Sequence, residues 1–113
     1  MIASDPALGR ELAEAVERHP RLALAGASPM GTRGLLLTRS SAAQAALVAL
    51  GLRDSVDPVF IADLFDMGVE RVLVVSRGLD AELERTALLG GARWLSRASA
   101  GPAAICESLA SAA

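Results

Sequence analysis

Few side chains in this sequence could do chemistry, and their types narrow what that chemistry could be. The 113 residues include one histidine, one cysteine and no lysine, because all eleven basic residues are arginine. This composition excludes Schiff-base chemistry, a phosphate-loop lysine, a zinc site built from several cysteines and an intrachain disulfide. The remaining candidates are carboxylates, hydroxyls and guanidinium groups. Those that directly follow short apolar runs are Ser4, Asp5, Ser76 and Arg97.

The elements that must position these side chains follow from the spacing of apolar residues. Asp5-Pro6 and Asp57-Pro58 are typical helix starts, with Asp as the N-cap and Pro in the first turn. Between the helices lie short, strongly apolar runs, which is typical of buried parallel strands. We predict five strands, at Met1–Ala3, Arg21–Gly26, Ala45–Leu50, Val72–Val75 and Trp94–Leu95.

Alternation of strands and helices predicts a single α/β domain over residues 1–113, with helices on both faces of a parallel sheet. The first strand is truncated, since only three residues precede Ser4. Ligands of such sheets bind at the carboxyl ends of the strands. The residues that stand there are Ser4 and Asp5, the Gly26–Gly34 turn, Ala49, Ser76, and Ser96 with Arg97.

Charge and hydropathy exclude several kinds of partner. The formal net charge of -2 argues against nucleic acid, because phosphate binding requires a basic surface. The longest uncharged run, Ser40–Leu52, has thirteen residues, whereas a membrane-spanning helix needs about 20. We therefore expect a cytoplasmic protein that binds no membrane and, by this chain alone, no nucleic acid.

The order of these motifs resembles the receiver domains of response regulators, in the subclass that usually precedes a LuxR-type helix-turn-helix. Ser4-Asp5-Pro6 lies where that family has an acidic pair and the start of its first helix. Ala45–Asp54 is similar to the family's third strand and the loop after it. Ser76 ends the fourth strand as the family's Ser or Thr does, and a Gly-Ala pair follows the fourth helix. The resemblance implies a flavodoxin-like, three-layer, doubly wound sheet in the order 2-1-3-4-5.

The departures from the family concern its chemistry, which is Mg²⁺-assisted phosphoryl transfer to an aspartate that ends the third strand. Ala49 stands at that position and has no nucleophile. Ser4 replaces one acid, so Asp5 alone remains of the usual three, and Arg97 replaces the lysine. We expect a degenerate pocket with no metal and no cofactor, in which Arg97 binds Asp5. Asp54, in the loop after the third strand, is expected to lie outside the pocket.

The leading hypothesis is a non-enzymatic pseudo-receiver that acts in signal transduction through a protein partner or a homodimer. Its expected interface comprises the first and last helices, and small side chains of the last helix permit close approach: Ala104, Ser108 and Ser111. One alternative is a small nucleotide- or metabolite-binding domain that uses the Gly26–Gly34 turn. Another alternative is a phosphorylatable receiver whose third strand has a different register from the one predicted.

Overall fold

Five parallel strands form the central sheet of the computed structural model, which describes residues 1–52, 54, 56–78, 80–92 and 94–111. The strands lie in the order 2-1-3-4-5, and every neighbouring pair is parallel. This confirms the predicted three-layer, doubly wound, flavodoxin-like fold. The strands are β1 Ile2–Ala3, β2 Ser28–Pro29, β3 Ala45–Leu50, β4 Arg71–Ser76 and β5 Trp94–Arg97.

Helices follow each strand, and a short 3-10 turn (Ala98–Ala100) precedes the last one. Both Asp-Pro starts are confirmed: the Asp5 carboxylate accepts from the N–H groups of Ala7 and Leu8, and Asp57 accepts from that of Val59. None of the helices in the described ranges is long and apolar enough to cross a bilayer. The helices are α1 Pro6–Arg18, α2 Thr32–Ser41, α3 Pro58–Asp66, α4 Ala81–Leu89 and α5 Pro102–Ser111.

Side chains of β3 and β4 alternate between two apolar clusters on opposite faces of the sheet. On one face Val48 and Val74 pack with residues of α3 and α4. On the other face Leu47 and Leu73 pack with residues of α1 and α5. Because both faces are covered, these two strands consist almost entirely of buried apolar residues.

The second strand lies further along the chain than predicted. The sequence predicts it at Arg21–Gly26, but the structure has β2 at Ser28–Pro29, where Ser28 pairs with Ile2. The preceding segment has the alternating exposure of a strand. It has no neighbour to pair with, because β1 consists of only two residues.

Helix α1 packs very closely on β1. A Cβ atom added to Gly9 would lie 2.6 Å from the Cβ atom of Ala3, a distance that side chains do not adopt. Only glycine therefore permits this helix to approach the strand so closely.

Helix α5 contributes Ile105, Cys106 and Leu109 to the core. Cys106 is fully buried, and the burial raises the pKa of its thiol. The predicted apolar stripe of this helix also includes Ala112, which lies outside the described residues. Cys106 therefore belongs to the core and contributes nothing to an exposed helix face.

The end of α1 is joined to α5 by a polar cluster. The Arg21 N–H donates to Nδ1 of His19 at 3.1 Å, so the other ring nitrogen, Nε2, carries the proton. Nε2 lies 2.6 Å from Oε1 of Glu107, and the Arg21 guanidinium donates to Oε2 at 3.1 Å. These donors, with His19 the strongest contributor, lower the pKa of Glu107.

We predict that Glu107→Gln destabilises the protein at pH 7, because the charged acceptor of two donors is lost. A lowered pKa in the folded state stabilises only above the unfolded value, which is about 4.3 for Glu. The difference in unfolding free energy should therefore close as the pH falls below about 4. Urea unfolding of wild type and variant at pH 7 and at low pH measures this, with Glu14→Gln on α1 as the control. An equal difference at both pH values would contradict the prediction.

Candidate functional site

The carboxyl ends of β1, β3 and β4 lie side by side, as a parallel sheet requires. Ala3 of β1 is in register with Ala49 of β3, and Ala49 is in register with Val75 of β4. The predicted residues Ser4 and Asp5 follow β1 directly, and the N–H of Ser4 donates to the carbonyl of Ala49 at 2.9 Å. The sequence-predicted positions therefore meet at one edge of the sheet.

Asp5 uses both carboxylate oxygens. Oδ1 caps α1 by accepting from two backbone N–H groups at 3.0 and 3.2 Å. Oδ2 accepts from Nε of Arg77 at 2.8 Å. The hydrogen bond from Arg77 is the largest influence on this carboxyl and lowers its pKa, and the cap adds to the effect.

Arg77, and not Arg97, is thus the arginine that binds Asp5, which corrects the expectation from the sequence. Arg97 ends β5 in register with Ser76 and is exposed. Within the described ranges no ion pair joins Arg97 to Asp5. The reason is the strand order: Arg77 follows β4, which lies one strand closer to β1 than β5 does.

Asp54 lies at the same edge, although it was expected outside the pocket. Its Oδ2 accepts from the hydroxyl of Ser4 at 2.6 Å and from the N–H of Gly51 at 2.8 Å. Gly51 permits this, because a Cβ there would lie 2.7 Å from that oxygen and 3.6 Å from the Cβ of Asp5. The loop after β3 therefore turns back and returns a carboxylate to the strand ends.

Ala49 and Ser76 are fully buried. Ala49 packs in the apolar cluster beneath α1 and α5, and its methyl group offers no oxygen for a transferred group. The hydroxyl of Ser76 accepts from the N–H of Gly78 at 3.0 Å, so it shapes the turn after β4. Neither residue presents a nucleophile at the strand ends in the manner of an acceptor aspartate.

The residues present do not fit a magnesium ion. Mg²⁺ prefers near-octahedral oxygen ligands, usually with carboxylates among them. Here both oxygens of Asp5 and one oxygen of Asp54 already accept hydrogen bonds from protein donors. No group of three or more His, Cys, Asp or Glu residues in the described part of the chain could hold a metal.

A cavity of about 290 Å³ lies beside this edge, between the loops that follow β3 and β4. It is open, and three of its described lining residues are acidic: Asp54, Asp80 and Glu82. The lining residues are Leu52, Asp54, Val56, Gly78, Asp80, Glu82, Leu83 and Thr86.

The glycines of the Gly26–Gly34 turn have packing roles. A Cβ on Gly26 would lie 2.8 Å from the Leu37 side chain, and one on Gly34 would lie 3.1 Å from Ile2. Gly31 precedes α2 with a φ of 103°, which favours glycine. These contacts explain the glycines without a bound phosphate.

Arg77 and Asp54 are the site residues that sequence reasoning missed. Each had a signal. Arg77 is the first residue after a buried strand that lies two strand spacings, about 9.6 Å, from β1, a distance that the arginine and aspartate side chains span together. Asp54 follows a glycine that allows the loop to turn back toward β1.

No protein-family model and no curated protein sequence matches the chain. Among solved structures, the chain is similar to the signal receiver domain of the response regulator NarL from Mycobacterium tuberculosis, with a TM-score of 0.75. The sequences are 19% identical, and the match covers 95% of this chain and 88% of that one. The chain therefore has the fold of a receiver domain.

Proposed function

We propose that this protein is a phosphorylation-independent receiver, which acts in signal transduction through protein contacts and performs no catalysis. The observation that carries the proposal is the ion pair between Asp5 and Arg77 at the strand ends. In receivers, to which the sequence bears a resemblance, this edge of the sheet is where a metal ion and a phosphoryl group meet. Here a guanidinium of the chain itself neutralises the acid.

The position of Ala49 supports the same proposal. Phosphoryl transfer to protein needs an oxygen nucleophile and cations that offset the charge on the transferred group. Ala49 supplies no oxygen, and Arg77 already occupies Asp5. Without an acceptor and a metal, phosphorylation cannot change the charge of the pocket.

A function without phosphorylation requires a surface for partners, and α5 supplies a candidate. Ala104, Ser108 and Ser111 are all exposed and share one face of this helix. Glu107 lies beside them and is held by His19 and Arg21. We propose that two copies associate through this face and the exposed side of α1, with small side chains at the centre and charges at the rim.

One prediction of this proposal concerns phosphate incorporation. Wild-type protein incubated with acetyl phosphate and Mg²⁺ should gain no phosphoryl group, because Ala49 cannot accept one. Intact-mass spectrometry measures this directly. An added phosphoryl group would contradict the proposal, and its loss in Asp54→Asn would assign the modification to the loop carboxylate.

Two variants extend the experiment, one that should remain unmodified and one that should gain a phosphoryl group. Ala49→Asp alone should remain unmodified, since Ser4 still replaces a ligand and Arg77 still holds Asp5. Ala49→Asp combined with Ser4→Asp and Arg77→Ala restores an acceptor and two acids, and should gain a phosphoryl group. Circular dichroism checks that each variant is folded before its mass is compared.

A second prediction concerns the ion pair itself. Arg77→Gln removes the donor that most strongly lowers the pKa of Asp5, so this variant should be less stable than wild type at pH 7. The lowered pKa stabilises the fold only above the unfolded value of about 3.9, so the difference should vanish in more acidic solution. Urea unfolding at neutral and acidic pH measures it, with Arg85→Gln on α4 as the control. A pH-independent difference would show that the ion pair is not its cause.

The third prediction tests the dimer. Ala104→Glu places a charge at the centre of the proposed interface and should weaken association at least tenfold, which corresponds to about 1.4 kcal/mol. Sedimentation equilibrium of wild type and variant measures this. Ala62→Glu, an equally exposed change on α3, should leave association unchanged. At roughly 100 µM an ordinary interface is occupied. A wild-type protein that is still monomeric at this concentration would contradict the proposed interface.

A further inference from the structure

Three helices cover one face of the sheet, and their order leaves α2 and α4 at the outer sides of that layer. Helix α3 packs against both α2 and α4, whereas α1 and α5 pack against each other on the opposite face. Each outer helix therefore has one flank turned toward α3 and one flank turned away. Both outer helices carry a large apolar side chain that is at least half exposed, Leu36 (61%) on α2 and Leu88 (50%) on α4.

The contacts of α2 with its neighbours fix which of its flanks is free. Leu37 lies against Gly26 at the edge of the sheet, whereas Leu35 packs into the apolar cluster that α3 shares. Arg33 precedes Leu37 by four residues and therefore lies on the side away from α3. Leu36 lies beside Arg33, three residues further along, and both side chains are exposed. We call these two residues the basic flank.

The free flank of α4 follows from Gly90, which faces α3. A Cβ atom added to Gly90 would lie 2.6 Å from the carbonyl oxygen of Pro58 and 2.7 Å from the Cβ atom of Ile61. Glu84 and Leu88 are four residues apart and lie on the other side of the helix from Gly90. Both are exposed. We call Glu84 and Leu88 the acidic flank.

The two flanks have opposite charge. Helix α2 contains Arg33 and Arg39 and no acidic residue. Helix α4 with its cap contains three acidic residues and one arginine: Asp80, Glu82, Glu84 and Arg85. Among the described residues, neither the Arg33 nor the Glu84 side chain has a hydrogen bond or an ion pair. Opposite charges on two separate sides of one molecule favour contact with a second copy of it.

The spacing within the two flanks is matched as well. Arg33 precedes Leu36 by three residues and Glu84 precedes Leu88 by four, which in each case is about one helical turn. Helices α2 and α4 run in the same direction, because each returns the chain between parallel strands. When the two helices of different copies lie side by side in this direction, contact between the leucines brings the opposite charges together. An antiparallel placement would separate these charges by about two turns, or roughly 11 Å.

We propose that this protein associates head to tail, with the basic flank of one copy on the acidic flank of the next. The contact is heterologous, so a pair of copies still has one free flank of each kind, and further copies can add. One helix from each copy takes part, so the contact buries less than a standard interface of about 1,600 Å² and is weak and reversible. It lies on the opposite face of the sheet from α1 and α5 and is independent of the dimer proposed above.

Two leucine variants test the head-to-tail arrangement, both made in an Ala104→Glu chain so that the α1 and α5 surface does not contribute. Leu36→Glu damages only the basic flank and Leu88→Glu only the acidic flank, so neither variant alone should associate. Their equimolar mixture retains one intact pair of flanks and should form dimers and nothing larger. Sedimentation equilibrium at about 1 mM protein measures this, since contacts with a Kd of that order are then populated.

The outcomes of this experiment separate the two proposals. The Ala104→Glu chain with both leucines intact should form species larger than dimers at this concentration. If it is monomeric, or if the mixture associates no more than its components, head-to-tail association is overturned, whereas the dimer through α1 and α5 is untouched. Equal association of wild type and Ala104→Glu would contradict that dimer and leave the head-to-tail contact standing. Circular dichroism checks that each variant is folded.

Charge reversal provides the second readout. Arg33→Glu or Glu84→Arg in the Ala104→Glu chain should weaken association several-fold, because like charges then meet. Combining the two changes in one chain, or mixing the two variants, pairs opposite charges again and should restore it. The matched controls Arg39→Glu and Glu82→Arg lie on the same helices outside the flanks and should have little effect. Failure of the combined variant to recover, or equal losses in the controls, would overturn the proposed pairing of the flanks.

Discussion

The parallel pairing of β3 with β4 is the constraint on which the rest of the molecule depends. Six residues of each strand are in register, and their side chains alternate between the two cores. Burial on both faces excludes water, so the backbone groups of these strands must bond to neighbouring backbone. The helices have to cover both faces, and the strand ends have to coincide. The positions of Ala49, Ser76 and Arg77 at the strand ends follow from this pairing.

The local parts of the fold could be predicted from the sequence, because their causes are local. Asp5-Pro6 and Asp57-Pro58 begin helices through a cap that spans three residues, and β3 was predicted with its observed bounds. The second strand could not be predicted in the same way. Arg21–Gly26 has the residue types of a strand, but a strand also requires a neighbour, and the short β1 reaches only Ser28 and Pro29.

The difference between local and long-range causes also explains which residues of the candidate site could be predicted. Ser4, Asp5 and Ser76 could be identified because each lies at the end of a strand or within two residues of it. The partner of Asp5 depends on distance across the sheet, where β4 is nearer than β5, and this made Arg77 the partner in place of Arg97. Asp54 depends on the path of a loop around Gly51, for which the sequence provides only a permissive glycine. In the structure Asp5 is paired with a guanidinium of the chain itself, and Asp54 accepts from the Ser4 hydroxyl and the Gly51 N–H.

Gly9 has a mechanical consequence. Helix α1 is held at its start by Asp5, which caps it and binds Arg77, in its first turn by the close approach of Gly9 to Ala3, and at its end by His19 and Glu107. A helix fixed at three points can neither slide nor rotate over the sheet without breaking one of them. Helix α5, which the contacts of Glu107 join to the end of α1, shares this constraint.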